Sequence, residues 1–350
     1  MTQDWQYKLA TRLQREWYAG GPLAQALRPL AGLYRLLLSL RGLLYRCGVL
    51  RVASLPVPVI VVGNWIVGGA GKTPTTLTLL SQLQSLGLRV GVISRGYGRR
   101  ETSAQLVSSQ TPANAVGDEP LLIHLRAGVP VAVGRDRVAA ARLLLAAHPE
   151  LQLLISDDGL QHLRLPRALT VLVFDERGIG NGRLLPAGPL RQPPVHHIGP
   201  DAMVLYNADR PSTALPGYLA RRSLSGAVGL ADWWQGVPAT LTCLRALAGR
   251  PLLATAGLAQ PQRFFSMLIQ QGLSITELAL ADHHDFAQLP WPPETADVVL
   301  TEKDAVKIDP MHGGKTRIWV VALDFEPEQA FQQALRGRLQ QQPSLAALLP

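Results

Sequence analysis

One segment of the chain constrains its fold more than any other. Residues 57–62 form an apolar run typical of a buried strand, and residues 74–86 show a helical pattern that ends at Gly87. The glycine-rich loop 63–73 between them reads Gly-Asn-Trp-Ile-Val-Gly-Gly-Ala-Gly-Lys-Thr. This order of strand, loop and helix is typical of a phosphate-binding P-loop, and it predicts an α/β fold with a P-loop NTPase-like α/β/α domain.

The same loop predicts how a nucleotide and Mg²⁺ are held. Backbone N–H groups of the loop can surround the phosphates, Lys72 can reach the β- and γ-phosphates, and the Thr73 hydroxyl can ligate Mg²⁺. The usual pattern has a glycine where this chain has Ile66, so we expect Gly68 and Gly69 to supply the backbone freedom. The predicted nucleotide-binding residues are Ile66, Val67, Gly68, Gly69, Ala70, Gly71, Lys72 and Thr73.

A second acidic motif follows another apolar run. Residues 151–156 predict a strand, and Asp157 and Asp158 come directly after it. A carboxylate in this position binds Mg²⁺ directly or through water, and the sequence leaves open which aspartate does so. Asp158 is alternatively a helix cap or turn residue, and His162 a surface histidine.

Other charged groups also stand at predicted strand or helix ends. Arg95 and Arg135 each follow a strand, the motif 117–120 (Gly-Asp-Glu-Pro) precedes a helical run, and Asp175 ends a further strand. Functional loops of a doubly wound sheet collect at the carboxyl ends of its strands, so together these groups indicate a site. Each one alone could be a cap.

The net charge of +9 predicts an anionic partner. We find no Lys-rich tail, zinc-finger spacing or aromatic-basic motif, which argues against nucleic acid as the partner.

The only cysteines, Cys47 and Cys243, form no disulfide or zinc framework and favour a reducing compartment. The first residues lack the apolar core of a signal peptide, so we expect the catalytic domain to stay in the cytoplasm.

Residues 22–50 are rich in leucine and carry a basic stripe. Arg28, Arg35, Ser39 and Arg46 fall within about 40° on a helical wheel, and leucines occupy the rest. This pattern favours a helix lying in a membrane interface with its arginines at anionic headgroups. The alternative is a helix packed on the protein core, and a spanning helix is less favoured because charges interrupt the run.

We therefore predict three segments. Residues 1–52 form an N-terminal helical, membrane-associating segment, residues 53–205 the P-loop domain, and residues 206–350 a second, smaller α/β domain. The second domain has predicted strands near 252–256, 275–280, 297–301 and 317–322 and helices near 260–271 and 326–340.

The motifs occur in an order that resembles one known family. They are Val-Gly-Asn with Gly-Gly-Ala-Gly-Lys-Thr-Pro (62–74), Ser-Arg-Gly-Tyr-Gly-Arg (94–99), Val-Gly-Asp-Glu-Pro (116–120), Asp-Asp-Gly-Leu-Gln-His (157–162), Asn-Gly-Arg-Leu-Leu-Pro-Ala-Gly-Pro-Leu-Arg (181–191), Asp-His-His-Asp-Phe (282–286) and Thr-Glu-Lys-Asp-Ala-Val-Lys (301–307). The chain resembles the tetraacyldisaccharide 4′-kinase family over residues 55–310.

The resemblance implies a reaction and a location. The γ-phosphate of ATP passes to the 4′-hydroxyl of tetraacyldisaccharide 1-phosphate, which gives lipid IVA in lipid A biosynthesis. The enzyme works at the cytoplasmic face of the bacterial inner membrane, with a lipid substrate, anionic lipids around it and no obligate protein partner. Two α/β domains joined by a hinge place the active site in their cleft.

The resemblance also implies residue roles. Asp118 is the catalytic base, His283 in the second domain is its partner, with His284 as an alternative, and Lys72 is the third catalytic residue. Glu119 is a further metal or water ligand beside Thr73, Asp157 and Asp158. The segment 301–307 either contacts nucleotide or substrate or forms a polar turn. Apart from the resemblance, His162 is a candidate substrate-binding residue, and Arg95, Arg135, Arg137 and Arg191 are candidates for holding substrate phosphate, because a guanidinium binds phosphate in a bidentate manner. Each of these arginines is alternatively a solvated surface residue.

Two other functions compete with this one. A GTPase needs Asn-Lys-x-Asp, and Glu302 stands where the asparagine belongs. A membrane-associated P-loop ATPase switch of the partitioning type needs no acceptor pocket. Domain closure that joins Asp118 to His283 is expected of the kinase, because it would exclude water from the reaction.

Overall fold

The computed structural model describes residues 16–18, 20–99, 101–312 and 314–349. The strands in chain order are β1 (Val59–Gly63), β2 (Val90–Ser94), β3 (Gln105–Leu106), β4 (Val131–Val133), β5 (Leu153–Asp157), β6 (Leu169–Asp175), β7 (Ala202–Asn207), β8 (Tyr218–Gly229), β9 (Leu252–Ala256), β10 (Ile275–Ala279), β11 (Asp297–Thr301) and β12 (Arg317–Pro327). The helices are α1 (Pro22–Ala26), α2 (Arg28–Arg46), α3 (Lys72–Ser85), α4 (Ala113–Val116), α5 (Asp118–Ala127), α6 (Arg137–Ala147), α7 (Leu230–Trp234), α8 (Leu241–Arg245), α9 (Pro261–Gln270), α10 (Glu302–Ala305), α11 (Gln329–Gln341) and α12 (Pro343–Ala346), with a 3₁₀ turn at Pro310–His312.

The described chain forms two compact units, and each is discontinuous in sequence. Unit 1 takes in the described parts of Met1–Val92, Arg137–Arg221 and Pro327–Pro350, and unit 2 those of Ile93–Asp136 and Arg222–Glu326. This differs from the single boundary near residue 205 that the sequence suggested. Hydrophobic periodicity identifies strands and helices locally, but it does not show which unit each element joins.

Unit 1 contains a parallel sheet that positions the glycine-rich loop. The strand order is β7-β6-β1-β5, with the first residues of β8 beside β7 and those of β2 beside β5, and β1 is parallel to both β5 and β6. All five residues of β1 and of β5 are buried, as the apolar run of β1 predicts, and in β5 this includes the polar Ser156 and Asp157. Val62 pairs with Asp157, so the acidic motif lies beside the start of the loop.

Helix α3 follows the loop and packs on this sheet through Leu79, Leu80 and Leu83, which are fully buried. Their spacing places all three on one face of the helix. Predicted at residues 74–86, α3 begins two residues earlier, at Lys72.

Unit 2 has its own sheet and core. Strand β9 lies between β10 and β11, β11 also pairs with β12, and these pairs are parallel, whereas β3 and β4 form an antiparallel pair. Phe264, Phe265 and Leu268 of α9 are buried in the core of this unit. The predicted elements near 252–256, 275–280, 297–301, 317–322 and 260–271 are all present.

Helix α2 belongs to unit 1, and none of its residues is buried. Its half-buried face includes Tyr34, whose hydroxyl donates to the carbonyl of Arg191 over 3.0 Å. The opposite face is exposed and carries Leu30, Leu33, Leu36, Leu37, Leu40 and Leu43. At 100° per residue these leucines span about 140°, with Arg28, Arg35 and Arg46 along one edge and Arg41 along the other.

An exposed leucine face of this size is unusual for a protein surface in water. No helix in the described part of the chain is long and apolar enough to cross a membrane. Helix α2 packs on unit 1 along one face and exposes the other, so packing accounts for only one of its faces. That the exposed face lies in a membrane interface stays a prediction.

We predict that the leucine face contributes little to folding stability. Leu36→Ser combined with Leu40→Ser should change the free energy of unfolding by less than about 1 kcal/mol, because both side chains are already exposed to solvent. Leu79→Ala in the core should cost about 2–5 kcal/mol. Urea unfolding of the three proteins measures the difference, and a large loss in the double serine variant would mean that the face is covered by protein.

Candidate active site

The glycine-rich loop takes its shape from two glycines with positive φ. Gly68 and Gly71 both have φ of +96°, a backbone conformation that other residues rarely adopt. Gly68 therefore supplies the freedom expected of it, whereas Gly69 has no positive φ. Ile66 is 1% exposed and bridges to Leu190, so its side chain belongs to the core and only its backbone is available to a nucleotide.

Lys72 and Arg191 meet at Asp158. The Lys72 Nζ lies 3.8 Å from Oδ1 of Asp158 and donates to Oδ1 of Asn64 over 3.3 Å. Arg191 donates to both carboxylate oxygens of Asp158, over 2.8 and 3.1 Å, and also to Asn64. Arg137, which is buried, donates to the Asp158 carbonyl over 3.2 Å. The predicted nucleotide lysine and two of the predicted phosphate-binding arginines are therefore brought together.

These cations determine the ionisation of Asp158. Burial raises its pKa, but the charges of Lys72 and Arg191 and the hydrogen bond from Arg191 outweigh burial and hold the pKa well below its usual range. Asp158 also has φ of +51°, which is strained for a residue other than glycine. A strained, ionised carboxylate between two cations is typical of a site built for charged ligands.

Asp157 has a different environment. It is 1% exposed and accepts a hydrogen bond from the Thr76 hydroxyl over 3.1 Å. The oxygen donors of Thr73, Asp157 and Asp158 suit Mg²⁺, which usually takes one or two carboxylates and completes its shell with phosphate and water. In the described residues no three His, Cys, Asp or Glu side chains cluster closely enough to hold a metal.

Two braces of the loop were missed by the sequence analysis. Arg177 donates to the Gly69 carbonyl over 2.6 Å and pairs with the buried Asp175 at 2.7 Å. Asn207 donates to the Ala70 carbonyl over 3.1 Å. Asp175 and Asn207 both end strands adjacent in the sheet, which is the signal that could have identified them.

Asp118 and His283 are in contact within unit 2. The Nδ1 of His283 lies 2.8 Å from Oδ2 of Asp118, which is 6% exposed at the start of α5. The sequence assigned these two residues to separate domains and invoked closure to join them. The structure places both in one unit, so their pairing requires no movement between domains.

The turn that carries Asp118 depends on Gly117. Its φ is +95°, and a Cβ there would lie 3.1 Å from the Cα of Gly96. The segment 96–97 can pack against this turn only because Gly117 lacks a side chain. The Tyr97 ring then lies 5.1 Å from the His283 ring, centroid to centroid.

The two adjacent histidines have distinct environments. His283 has φ of +61° and faces Asp118. His284 instead accepts a hydrogen bond from the Phe286 amide over 3.1 Å and packs edge-on against that ring. The geometry thus favours His283 over His284 as the partner of Asp118.

Lys303 adds a cation beside this pair. Its Nζ lies 3.4 Å from Oε1 of Glu119 and 3.3 Å from Oδ1 of Asp282. Burial lowers the pKa of Lys303, but Glu119, Asp118 and Asp282 outweigh it and raise the pKa above its ordinary value. Glu119, predicted as a metal ligand, thus has an ammonium partner.

The same charges act on the pair itself. Burial raises the pKa of Asp118, but the hydrogen bond from His283 and the charge of Lys303 outweigh it and lower the pKa from 3.8 to about 2. Burial lowers the pKa of His283, whereas the hydrogen bond to Asp118 raises it, and the net shift is upward. Asp118 is therefore a carboxylate at neutral pH.

A cavity of about 510 Å³ opens beside Asp118 and His283 within unit 2. Tyr97 and Trp234 contribute aromatic walls, and Lys307 contributes a positive charge. This size and mixed lining suit a small polar ligand with apolar ring faces.

The remaining predicted substrate residues lie in both units. Arg95 and Arg135 of unit 2 are exposed and follow adjacent strands, since the Gly134 amide donates to the Ser94 carbonyl over 3.0 Å. His162 of unit 1 is half-buried in the turn after Asp158. Their predicted roles remain hypotheses.

We predict that the pKa of His283 falls in an Asp118→Asn variant, because the carboxylate that raises it is gone while burial still lowers it. An NMR titration of ring-labelled histidines measures this. Glu294→Gln, which removes an exposed carboxylate of unit 2, is the control and should leave the pKa of His283 unchanged.

The directions of these two pKa shifts also define the pH range in which the pair of Asp118 and His283 stabilises the fold. The contribution of Asp118 is present above its ordinary pKa of 3.8 and is lost as pH falls through about 2. The contribution of His283 is present below its ordinary pKa of 6.5 and is lost as pH rises through its raised value. An unchanged His283 pKa in the asparagine variant would contradict the coupling.

Comparison with known proteins adds independent findings. The model of the LpxK family, described as tetraacyldisaccharide-1-P 4′-kinase, matches residues 23–340. The chain is 56% identical to a tetraacyldisaccharide 4′-kinase from Methylibium petroleiphilum, over 92% of each chain. It is 54% identical to one from Leptothrix cholodnii, over 95% of this chain and 97% of the relative.

A solved structure agrees. The crystal structure of LpxK from Aquifex aeolicus in complex with ATP superposes with a TM-score of 0.73 at 27% identity, and the match covers 90% of this chain and 99% of the other. Both the sequence relatives and the fold extend over nearly the whole chain. A glycine-rich loop with Lys72 in one unit and a paired Asp118 and His283 in the other thus occur in a chain that belongs to the tetraacyldisaccharide 4′-kinase family.

Proposed function

We propose that this chain transfers the γ-phosphate of ATP to the 4′-hydroxyl of tetraacyldisaccharide 1-phosphate and so forms lipid IVA. The observation that carries the proposal is the 2.8 Å contact between Asp118 and His283. A nucleotide switch needs only a phosphate loop and its metal, whereas transfer to a sugar hydroxyl benefits from a base that takes the hydroxyl proton.

Unit 1 supplies the nucleotide half of the reaction. The loop from Gly68 to Thr73 surrounds the phosphates, and Lys72 turns from Asp158 and Asn64 toward the β- and γ-phosphates. Thr73 and Asp157 would hold Mg²⁺, since Asp158 stays paired with Arg191. Mg²⁺ would supply charge neutralisation for the transferring phosphoryl group.

Unit 2 supplies the acceptor half. Asp118 is ionised, is largely shielded from water and can accept the proton of the 4′-hydroxyl. His283 orients the carboxylate through Nδ1 and stabilises its charge. The sugar binds in the adjoining cavity, where Tyr97 and Trp234 offer aromatic faces to the apolar faces of its rings.

The candidate arginines bind anionic groups. Arg191 and Arg137 in unit 1 lie near the nucleotide loop and serve the phosphates of ATP. Arg95 and Arg135 are exposed in unit 2 and, with His162 in unit 1, are proposed to contact the lipid substrate.

The activity test measures transfer of label from γ-labelled ATP to the lipid in detergent. Lys72→Ala and Asp118→Ala should each lower lipid labelling by about 10²–10⁴-fold, because one removes phosphate stabilisation and the other the base. Lys315→Ala, which removes an exposed lysine of unit 2, is the matched control and should keep full activity.

If the wild-type protein hydrolyses ATP and labels no lipid, the nucleotide site stands and the acceptor assignment fails. The ATPase switch would then be the better description. If Asp118→Ala labels lipid at the wild-type rate, Asp118 is not the base.

We further propose that α2 holds the enzyme at the cytoplasmic face of the inner membrane. Six exposed leucines can enter the acyl boundary while Arg28, Arg35, Arg41 and Arg46 reach anionic headgroups. Tyr34 connects this helix to the backbone of Arg191, so the surface that meets the lipid is linked to the nucleotide site within unit 1.

Vesicle binding tests the role of α2. Arg28→Gln, Arg35→Gln and Arg46→Gln together should weaken binding to anionic vesicles about 100-fold, because each arginine contributes about 1 kcal/mol near a charged surface. The matched control removes three exposed arginines elsewhere, Arg210, Arg221 and Arg245, also to Gln. If both triple variants bound anionic vesicles equally weakly, the net charge of the protein and not the position of the arginines on α2 would account for the binding.

A further inference from the structure

We infer that Lys303 is a positioning residue that holds Asp118 and His283 in register by bridging the residue next to each of them. The inference rests on the proposed kinase function and assigns a role to the segment 301–307, for which the sequence left open either ligand contact or a polar turn. Lys303 acts through its neighbours and is not itself proposed to touch the reacting atoms.

The bridge is visible in two short distances. The Lys303 Nζ lies 3.4 Å from the carboxylate of Glu119 and 3.3 Å from that of Asp282. Glu119 follows Asp118 on α5, and Asp282 precedes His283 in the loop after β10. One ammonium therefore connects the two segments that carry the base and its partner.

Lys303 is itself held by buried groups on both sides. Glu302 is 8% exposed, accepts from the indole N–H of Trp233 over 3.2 Å and pairs with Arg126. Asp304 is fully buried and accepts from the Gly257 amide over 3.2 Å and from the Thr301 hydroxyl over 2.7 Å.

Lys307 completes this support. It donates to Asp304 over 3.1 Å and lies 5.1 Å from the centroid of the Phe286 ring. The segment thus forms a fixed platform from which Lys303 extends, and such support is what a precise site requires.

The charges explain why a bridge is needed. Asp118, Glu119 and Asp282 gather three carboxylates around Lys303, with His283 and Lys307 as the other charged or titratable groups nearby. Without the ammonium, the carboxylates of Glu119 and Asp282 would repel each other, and this repulsion would push α5 away from the loop that carries His283. A salt bridge on an open surface contributes little, but the Lys303 side chain is only 18% exposed and bridges two segments.

The test compares Lys303→Met with Lys303→Arg in the full chain. We expect kcat of Lys303→Met for lipid phosphorylation to fall about 100-fold, as for a displacement near 1 Å, with KM for ATP unchanged because the nucleotide loop lies in unit 1. Lys303→Arg should recover most of the loss, since a guanidinium can still bridge two carboxylates. Lys315→Met is the control for losing an exposed lysine of the same unit.

A charge-compensated variant separates positioning from general destabilisation. Adding Glu119→Gln and Asp282→Asn to Lys303→Met removes the repulsion and should recover about tenfold of the lost kcat. Retained kcat in Lys303→Met would overturn the inference. The inference would also be overturned if the loss of kcat in Lys303→Met matched a loss of thermal stability and was relieved neither in Lys303→Arg nor in the triple variant.

An NMR readout keeps the inference testable apart from the activity. The ring resonances of His283 should move in Lys303→Met and stay in place in Lys303→Arg and Lys315→Met. If the wild-type protein phosphorylates no lipid, the proposed function fails, but the His283 resonances still show whether Lys303 positions the pair. Unmoved His283 resonances in Lys303→Met would overturn it.

Discussion

The parallel pairing of β1 with β5 is the constraint on which the nucleotide site depends. Register alignment of Val62 with Asp157 brings the acidic motif beside the start of the glycine-rich loop. Lys72 then reaches Asp158 from the first turn of α3, and Arg191 reaches it from a separate segment. A shift of one residue in this register would turn Asp157 to the other face of the sheet, so the site depends on this alignment.

In unit 2, a buried carboxylate is kept charged by its surroundings. Burial alone would raise the pKa of Asp118, and the hydrogen bond from His283 together with Lys303 reverses that effect. His283, like Asp158 in unit 1, has a positive φ that its surroundings must enforce. Strained backbone and compensated charge thus occur together in both units, at the groups assigned to the chemistry.

Helix α2 is the element that we propose to meet the lipid substrate, and none of the described helices has the length and apolar character of a membrane span. One face of the helix contacts the rest of unit 1, and the other face is exposed and carries leucines bounded by arginines. Since Tyr34 on the packed face bonds to the Arg191 backbone, the helix is attached close to a residue of the nucleotide site. We propose that this attachment keeps the enzyme near its membrane-borne acceptor.

The sequence by itself determined the strands and helices around each motif and the nucleotide loop, because apolar periodicity and the spacing of Gly71, Lys72 and Thr73 are local properties. The kinase family was indicated by resemblance, through a set of motifs that occur in the family's order. Only the tertiary structure decided that each unit is discontinuous and that Asp118 and His283 share one unit. It also revealed the loop braces Arg177 and Asn207 and the bridge at Lys303. These features are contacts between residues that are far apart in the sequence. A local sequence pattern does not show which distant strands and side chains will pack together in the folded protein.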